Sequence, residues 1–197
     1  MNGHALHPLM SRAAAEAARI ARGVRPEHLD GPTPCTAFDT RTLVNHWVLY
    51  TSHGLERRAR REPLPEELVA RDFTADPDWA LAYADQLDRA VAAWSDPAGW
   101  EGEIDLGGMS VSAASVARMV VKEMVLHGWD VARATGRQAD VDDDLARLVL
   151  TVVEENAEIY RQYGGFAEAV PVAATASSLD RALAASGRDP GWERSTG

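Results

Sequence analysis

Apolar residues recur every three to four positions over most of this chain, and proline, glycine and aspartate fill the gaps between such stretches. Leu9, Ala13, Ala17 and Ile20 form one stripe at helical spacing. They predict a first helix from about Pro8, a residue suited to a first helical turn, to Arg22, with Gly23 stopping it. Asp30-Gly-Pro-Thr-Pro-Cys-Thr36 reads as a loop. Asp39 is placed to cap a second helix that carries Leu43, His46, Trp47 and Tyr50 and ends in Arg57, Arg58, Arg60 and Arg61. Pro63 and Pro65 open another loop, and a third helix fits Trp79 to Trp94, with Asp76 or Asp78 as cap and Asp96-Pro97 as stop. The alternation Glu103, Ile104, Asp105, Leu106 predicts a short strand or hairpin. Ser110 or Ser112 then caps a long helix to about Ala134, ended by Gly136. A further helix starts at Asp142 to Asp144 and runs to about Tyr163, and a short one covers Ser178 to Ala185. Long amphipathic helices with moderate connections make the fold class all-α, a four-helix bundle with a short extended hairpin or loop insertion. One domain over 1–197 is expected, with 165–197 a C-terminal extension packed on it.

Composition narrows the partners. The 197 residues carry a formal net charge of -10, which argues against nucleic acid and anionic membrane, since both reward dense Lys/Arg surfaces. The arginine cluster at 57–61 sits at a predicted helix C-terminus, where the dipole favours cations, and reads as a solvated helix end. Cys35 is the single cysteine, so no internal disulfide can form and a reducing cytoplasm is the expected location. The N-terminal alanine-rich stretch is broken by Arg12, Glu16, Arg19 and Arg22, which makes it an amphipathic helix and not a signal-peptide core.

The candidate chemistry lies in the long helix predicted to end near Ala134. Glu123 and His127 are four residues apart, on one helix face, and can reach one point in space. Alone this spacing is common on solvated faces. Here Met119, Val120, Met124, Val125 and Leu126 surround the pair, and an ionised Glu among apolar residues needs a partner. A divalent metal is one such partner. His46, set among Leu43, Val44, Trp47 and Val48, completes a His/Glu/His set if its helix faces the pair. Three such ligands with an open position match a catalytic zinc, while nickel, iron or manganese also suit the donors. Asp130, three residues after His127, is a candidate to hold the other ring nitrogen. His53 and Trp47 are candidates for the pocket wall, and Trp129 beside His127 is another. Cys35 reads first as a small buried loop residue and second as a thiol near the site; His4, His7 and His28 receive no role. Di-iron spacing, a Cys-rich zinc site, a P-loop lysine and a G-x-S-x-G elbow are all missing.

Thr33-Pro-Cys-Thr-Ala-Phe-Asp39 followed by Leu43-Val-Asn-His46 resembles the start of the second helix in actinobacterial DinB-like proteins of the mycothiol-dependent maleylpyruvate isomerase N-terminal family. Leu126-His-Gly-Trp-Asp-Val-Ala-Arg-Ala-Thr-Gly136 resembles the family's second hallmark. Leu179-Asp-Arg and Gly187-Arg-Asp-Pro190 are similar to the tail of its small metal-binding branch. The resemblance implies a DinB-type bundle with a divalent metal on His46, Glu123 and His127. Phe38 stands where the family usually has tryptophan. The sequence also stops before the additional C-terminal domain of the thiol-dependent isomerase, so that domain's residues are not carried over.

Two functions follow as expectations. One is a metal-dependent transferase or isomerase that takes a low-molecular-weight thiol as co-substrate and acts on an electrophilic small molecule. The alternative is a non-catalytic metal-binding or dimerisation module, with a homodimer as its assembly. No protein general base, and so no catalytic residue beyond the metal ligands, can be assigned from the sequence.

Overall fold

The computed structural model describes residues 3–194, and side chains from Ala5 onward. It is all-α apart from one two-stranded hairpin. Helix α1 spans Gly3–Ala21. It begins earlier than expected, with Pro8 inside it. Proline there removes one intrahelical hydrogen bond near the helix start, and full burial of Leu6 ahead of it keeps the extra turn in place. Helix α2, Thr40–Val48, is capped by Asp39, whose carboxylate accepts from the Thr42 N–H at 2.7 Å. The chain then passes through one π-helical turn, Leu49–His53, into α3, Gly54–Arg60. A short helix, α4 (Glu66–Val69), occupies the stretch that proline content marks as loop; Pro65 at its N-cap position starts it.

Helix α5 covers Trp79–Ala93. Strands β1 (Glu103–Asp105) and β2 (Ser110–Ser112) pair antiparallel with Ile104 opposite Val111. Ser112 caps α6, Ala113–Ala134, and Asp142 caps α7, Asp143–Gln162, each through its side-chain oxygen. Helix α8, Ser178–Ala185, follows a long extended connection.

Four long helical units make the bundle: α1 packs on α5 and α6, the α2–α3 unit packs on α6 and α5, and α7 lies outside against α6 and α8. The buried residues form one contiguous apolar cluster in which Trp47, Trp94, Tyr83, Met10, Leu43 and Leu87 are fully enclosed. Each such side chain contributes about 1.5–3 kcal/mol on burial. Helix α6 runs through the middle and is buried on nearly all sides, Lys122, His127 and Asp130 included. Among the described residues no helix is long and apolar enough to cross a membrane.

The π turn has a local cause. A wider turn deprives carbonyls of their usual i+4 partners. Here the Thr51 hydroxyl donates to Trp47 O at 2.6 Å and the Ser52 hydroxyl to Val48 O at 2.7 Å, while the Gly54 N–H reaches Leu49 O. Thr51 also meets the Tyr83 hydroxyl at 2.6 Å, which ties the turn to α5. The turn changes which residues share a face. Twelve residues separate His46 from Arg58, and at about 100° per residue an uninterrupted α-helix would set them about 120° apart. The π turn absorbs one extra residue, which reduces the offset to about 20°. His46, Tyr50 and Arg58 therefore line one face.

Candidate metal centre and its cavity

Helix α6 places Glu123 and His127 one turn apart, as the i,i+4 spacing requires, and α2 brings His46 to them. One ligand atom from each lies within 4.8 Å of the others. The His127 Nε2 is 3.0 Å from Glu123 Oε2, and the two imidazole centroids are 5.2 Å apart. Phe38 packs on both rings, at 5.2 Å from His46 and 6.4 Å from His127, and Tyr50 flanks His46 at 4.7 Å. The aromatic position at 38 is thus a wall of the site, and phenylalanine fills it by packing.

The electrostatics differ between the two histidines. Burial, followed by the neighbouring His127, lowers the His46 pKa to about 4, so this ring is neutral and offers a lone pair at neutral pH. Burial also opposes a charge on His127. There it is outweighed by hydrogen bonds to Asp130 and Glu123, and the His127 pKa lies above its ordinary value. Glu123 is held well below the usual carboxylate range: desolvation pushes upward, and Lys122 and His127 overcome it. The Lys122 ammonium pairs with Glu123 Oε1. It is almost fully buried and lies 4.1 Å over the Tyr160 ring and 5.3 Å from the Phe166 ring.

Behind His127 stands a second layer. Its Nδ1 is 3.0 Å from Asp130 Oδ2, the arrangement expected of a metal-binding histidine whose tautomer is fixed from outside. Asp130 is itself clamped by Arg188, with Nε 3.0 Å from Oδ1 and Nη2 2.8 Å from Oδ2. Both are buried. Arg188 reaches the site because α8 ends in a Schellman turn: Gly187 N–H bonds Ala184 O, and Arg188 N–H bonds Leu183 O at 2.9 Å. Gly187 has φ +84, and a Cβ there would sit 2.7 Å from the Ala167 Cβ, so glycine is required twice over. The sequence displays Gly187-Arg188, but nothing in its spacing points to a partner 58 residues away.

The remaining sequence candidates fall in different places. His53 stacks on Phe73 at 5.4 Å, turned away from the cavity by the π turn. Trp47 is in the core and donates its indole N–H to Met124 O at 3.2 Å. Trp129 is buried beneath Arg133. His7 bonds Val91 O, His28 accepts from the Arg25 N–H, and the His4 side chain lies outside the described residues. Cys35 stands near the second layer and, with His127 and Asp130, forms another group of donor atoms within 4.8 Å. Its chemistry is unfavourable for a cation, because burial raises the thiol pKa and Asp130 is already paired with Arg188.

His46 and Glu123 line a cavity of about 230 Å³ whose other walls include Tyr50, Arg58, Leu106, Met119 and Tyr160. Arg58 is the surprise of the arginine cluster. Arg57 and Arg60 are solvated, as a helix end predicts, whereas Arg58 turns inward and its Nη1 is buried. The i+4 stripe through a π turn supplies the reason, and the adjacent Thr51-Ser52 followed by Gly54 is the sequence signal that could have revealed it.

A DinB-like helical bundle that gathers two histidines and a glutamate at one end of a cavity defines a class of candidate metal proteins. The chain belongs to the family described as mycothiol maleylpyruvate isomerase N-terminal domain, which matches residues 10–132. It is 32% identical over 145 residues to Rv0738 and equally to MT0763, uncharacterised proteins of two Mycobacterium tuberculosis strains, covering 72% of this chain and 74% of each relative. No solved structure matches it significantly.

Proposed function

We propose that His46, Glu123 and His127 hold a divalent metal, most simply zinc, and that the site serves a thiol-dependent transferase or isomerase acting on an electrophilic small molecule. The observation that carries this reading is the convergence of two imidazole nitrogens and a carboxylate oxygen within 4.8 Å at the wall of a cavity. Three supports accompany it. The His46 ring has no hydrogen-bond partner among the described residues and is neutral. His127 presents Nε2 inward while Asp130 and Arg188 hold its other face. The family to which the chain belongs is named for a mycothiol-dependent isomerase.

A metal held by His46, Glu123 and His127 would supply a Lewis acid able to lower the pKa of a thiol. The protein's own part is orientation and exclusion of water. Phe38, Tyr50 and Met119 wall the donors, and Lys122 steadies Oε1 of Glu123. A reducing cytoplasm, read from the single cysteine, suits a free thiol co-substrate.

A second reading, a non-catalytic module, is favoured by one observation: Glu123 is already bonded by Lys122 and His127, so the network can close without turnover. Metal analysis of untagged protein decides the first step. One metal per chain is expected, with a loss of most of it in His46→Ala; equal metal content in the two proteins overturns the site. Incubation with mycothiol and an electrophile panel then separates enzyme from module.

A further inference from the structure

Two buried side-chain nitrogens lack a hydrogen-bond partner among the described residues, Arg58 Nη1 and Arg118 Nε. The side chains that carry them line two neighbouring spaces. The cavity at the metal triad adjoins a groove of about 640 Å³, and the two share Leu106, Met119 and Tyr160. Arg118 is already neutralised, since its Nη2 lies 2.8 Å from Glu155. Arg58 has no carboxylate in ion-pair range among the described residues. Glu123 is the carboxylate whose charge acts on it, and Lys122 and His127 already occupy that group.

A guanidinium nitrogen left without a partner in a buried position costs free energy, and a planar fork of donors is the preferred receptor for a carboxylate. The fold maintains this position actively. The π turn rotates Arg58 onto the His46 face, and Gly54 leaves room for it: a Cβ at 54 would lie 2.7 Å from Arg58 Nη1. The groove beyond is apolar, and its rim residues Met109, Ile159 and Tyr163 are 57%, 47% and 78% exposed. An anionic head at Arg58 and an apolar body along this groove satisfy both.

We infer that the cavity binds a small organic acid, with Arg58 receiving its carboxylate and its apolar part lying along the groove of Met109, Val152, Ile159 and Tyr163. The inference deepens the proposed function by naming a substrate class for the same site, and it rests on that reading only for the identity of the site. Carboxylate recognition by Arg58 requires no metal-centred step.

The test is calorimetric titration of the protein as purified with butanoate, hexanoate, octanoate and benzoate, against the matched primary amides. An acid of this series binds saturably, and its amide binds about tenfold or more weakly, as expected when a charge-assisted hydrogen bond is lost. Arg58→Met lowers the affinity for the acid by a similar factor, and the affinity for the amide stays within about twofold. Arg58→Lys, which keeps the charge but not the fork, falls between. Should Arg58→Met fail to fold, Gly54→Ala decides, because alanine favours the helix while its methyl displaces Nη1; it weakens acid binding without loss of thermal stability. No saturable binding of any acid overturns the inference, as does equal binding of acid and amide or unchanged acid affinity in Arg58→Met and Gly54→Ala. Metal content is measured on every sample. Acid binding that depends on Arg58 in protein without metal refutes the metal reading alone, and metal retained without acid binding refutes this inference alone.

Discussion

Arg188 shows how much one side chain can decide at the residue scale. Asp130 is fully enclosed, and its carboxylate stays ionised because Arg188 and His127 outweigh its desolvation. Removing the guanidinium leaves a buried charge with only an imidazole beside it. Arg188→Met is therefore expected to lower stability by about 3–5 kcal/mol in chemical denaturation, the usual cost of breaking a buried pair from one side. Asp130→Asn in that background recovers part of the loss, because the orphaned charge is gone. Metal affinity is expected to drop about 10–100-fold in Arg188→Met, as the support behind His127 is lost. Asp130 was readable in the sequence from its i+3 position after His127, a local relation. Arg188 was not, because its partner is set by the path of the tail.

At the scale of elements, the separation between stability and site can be tested on α6. Ser112 caps this helix by accepting from the Ser115 N–H at 3.2 Å, about three turns before Glu123. Ser112→Ala is expected to cost about 1 kcal/mol in thermal or chemical unfolding and to leave metal content unchanged. A loss of metal would mean that fraying at the cap reaches the site. Most elements follow from the sequence pattern: the caps Asp39, Ser112 and Asp142 and the ends of α5, α6 and α8 fall where polar caps, glycine and proline place them. The π turn does not follow. Apolar periodicity cannot distinguish one wide turn from an α-helix over five residues, yet that turn moves His53 against Phe73 and brings Arg58 to the cavity.

For the whole molecule, the linkage between metal, protons and folding gives the clearest signature. Carboxylates on both ring nitrogens keep the His127 pKa above its ordinary value, so in mildly acidic solution the metal-free ring carries a proton on each nitrogen. A metal at Nε2 displaces one of them. Metal affinity is therefore expected to rise with pH until that raised pKa is passed and to fall steadily below it. His46, lowered to about 4, adds nothing to this dependence near neutrality. Zinc titrations in buffers of different ionisation enthalpy should report release of about one proton per metal in mildly acidic solution. Added zinc should raise the melting temperature, and the increment should shrink as pH falls. A pH-independent increment would place the metal elsewhere.

The sequence by itself determined the all-α class, the capped starts of α2, α6 and α7, and the shared face of Glu123 and His127, because each of these depends on relations within a few residues along one helix. It also carried the family motifs around His46 and His127. Tertiary structure alone decided that His46 meets that face, that Arg188 closes on Asp130 from the tail, and that Arg58 leaves the solvated cluster for the cavity. The reason is physical: local periodicity fixes where a side chain leaves its helix, whereas its partner depends on which helices pack together and on how a single wide turn rotates the residues beyond it.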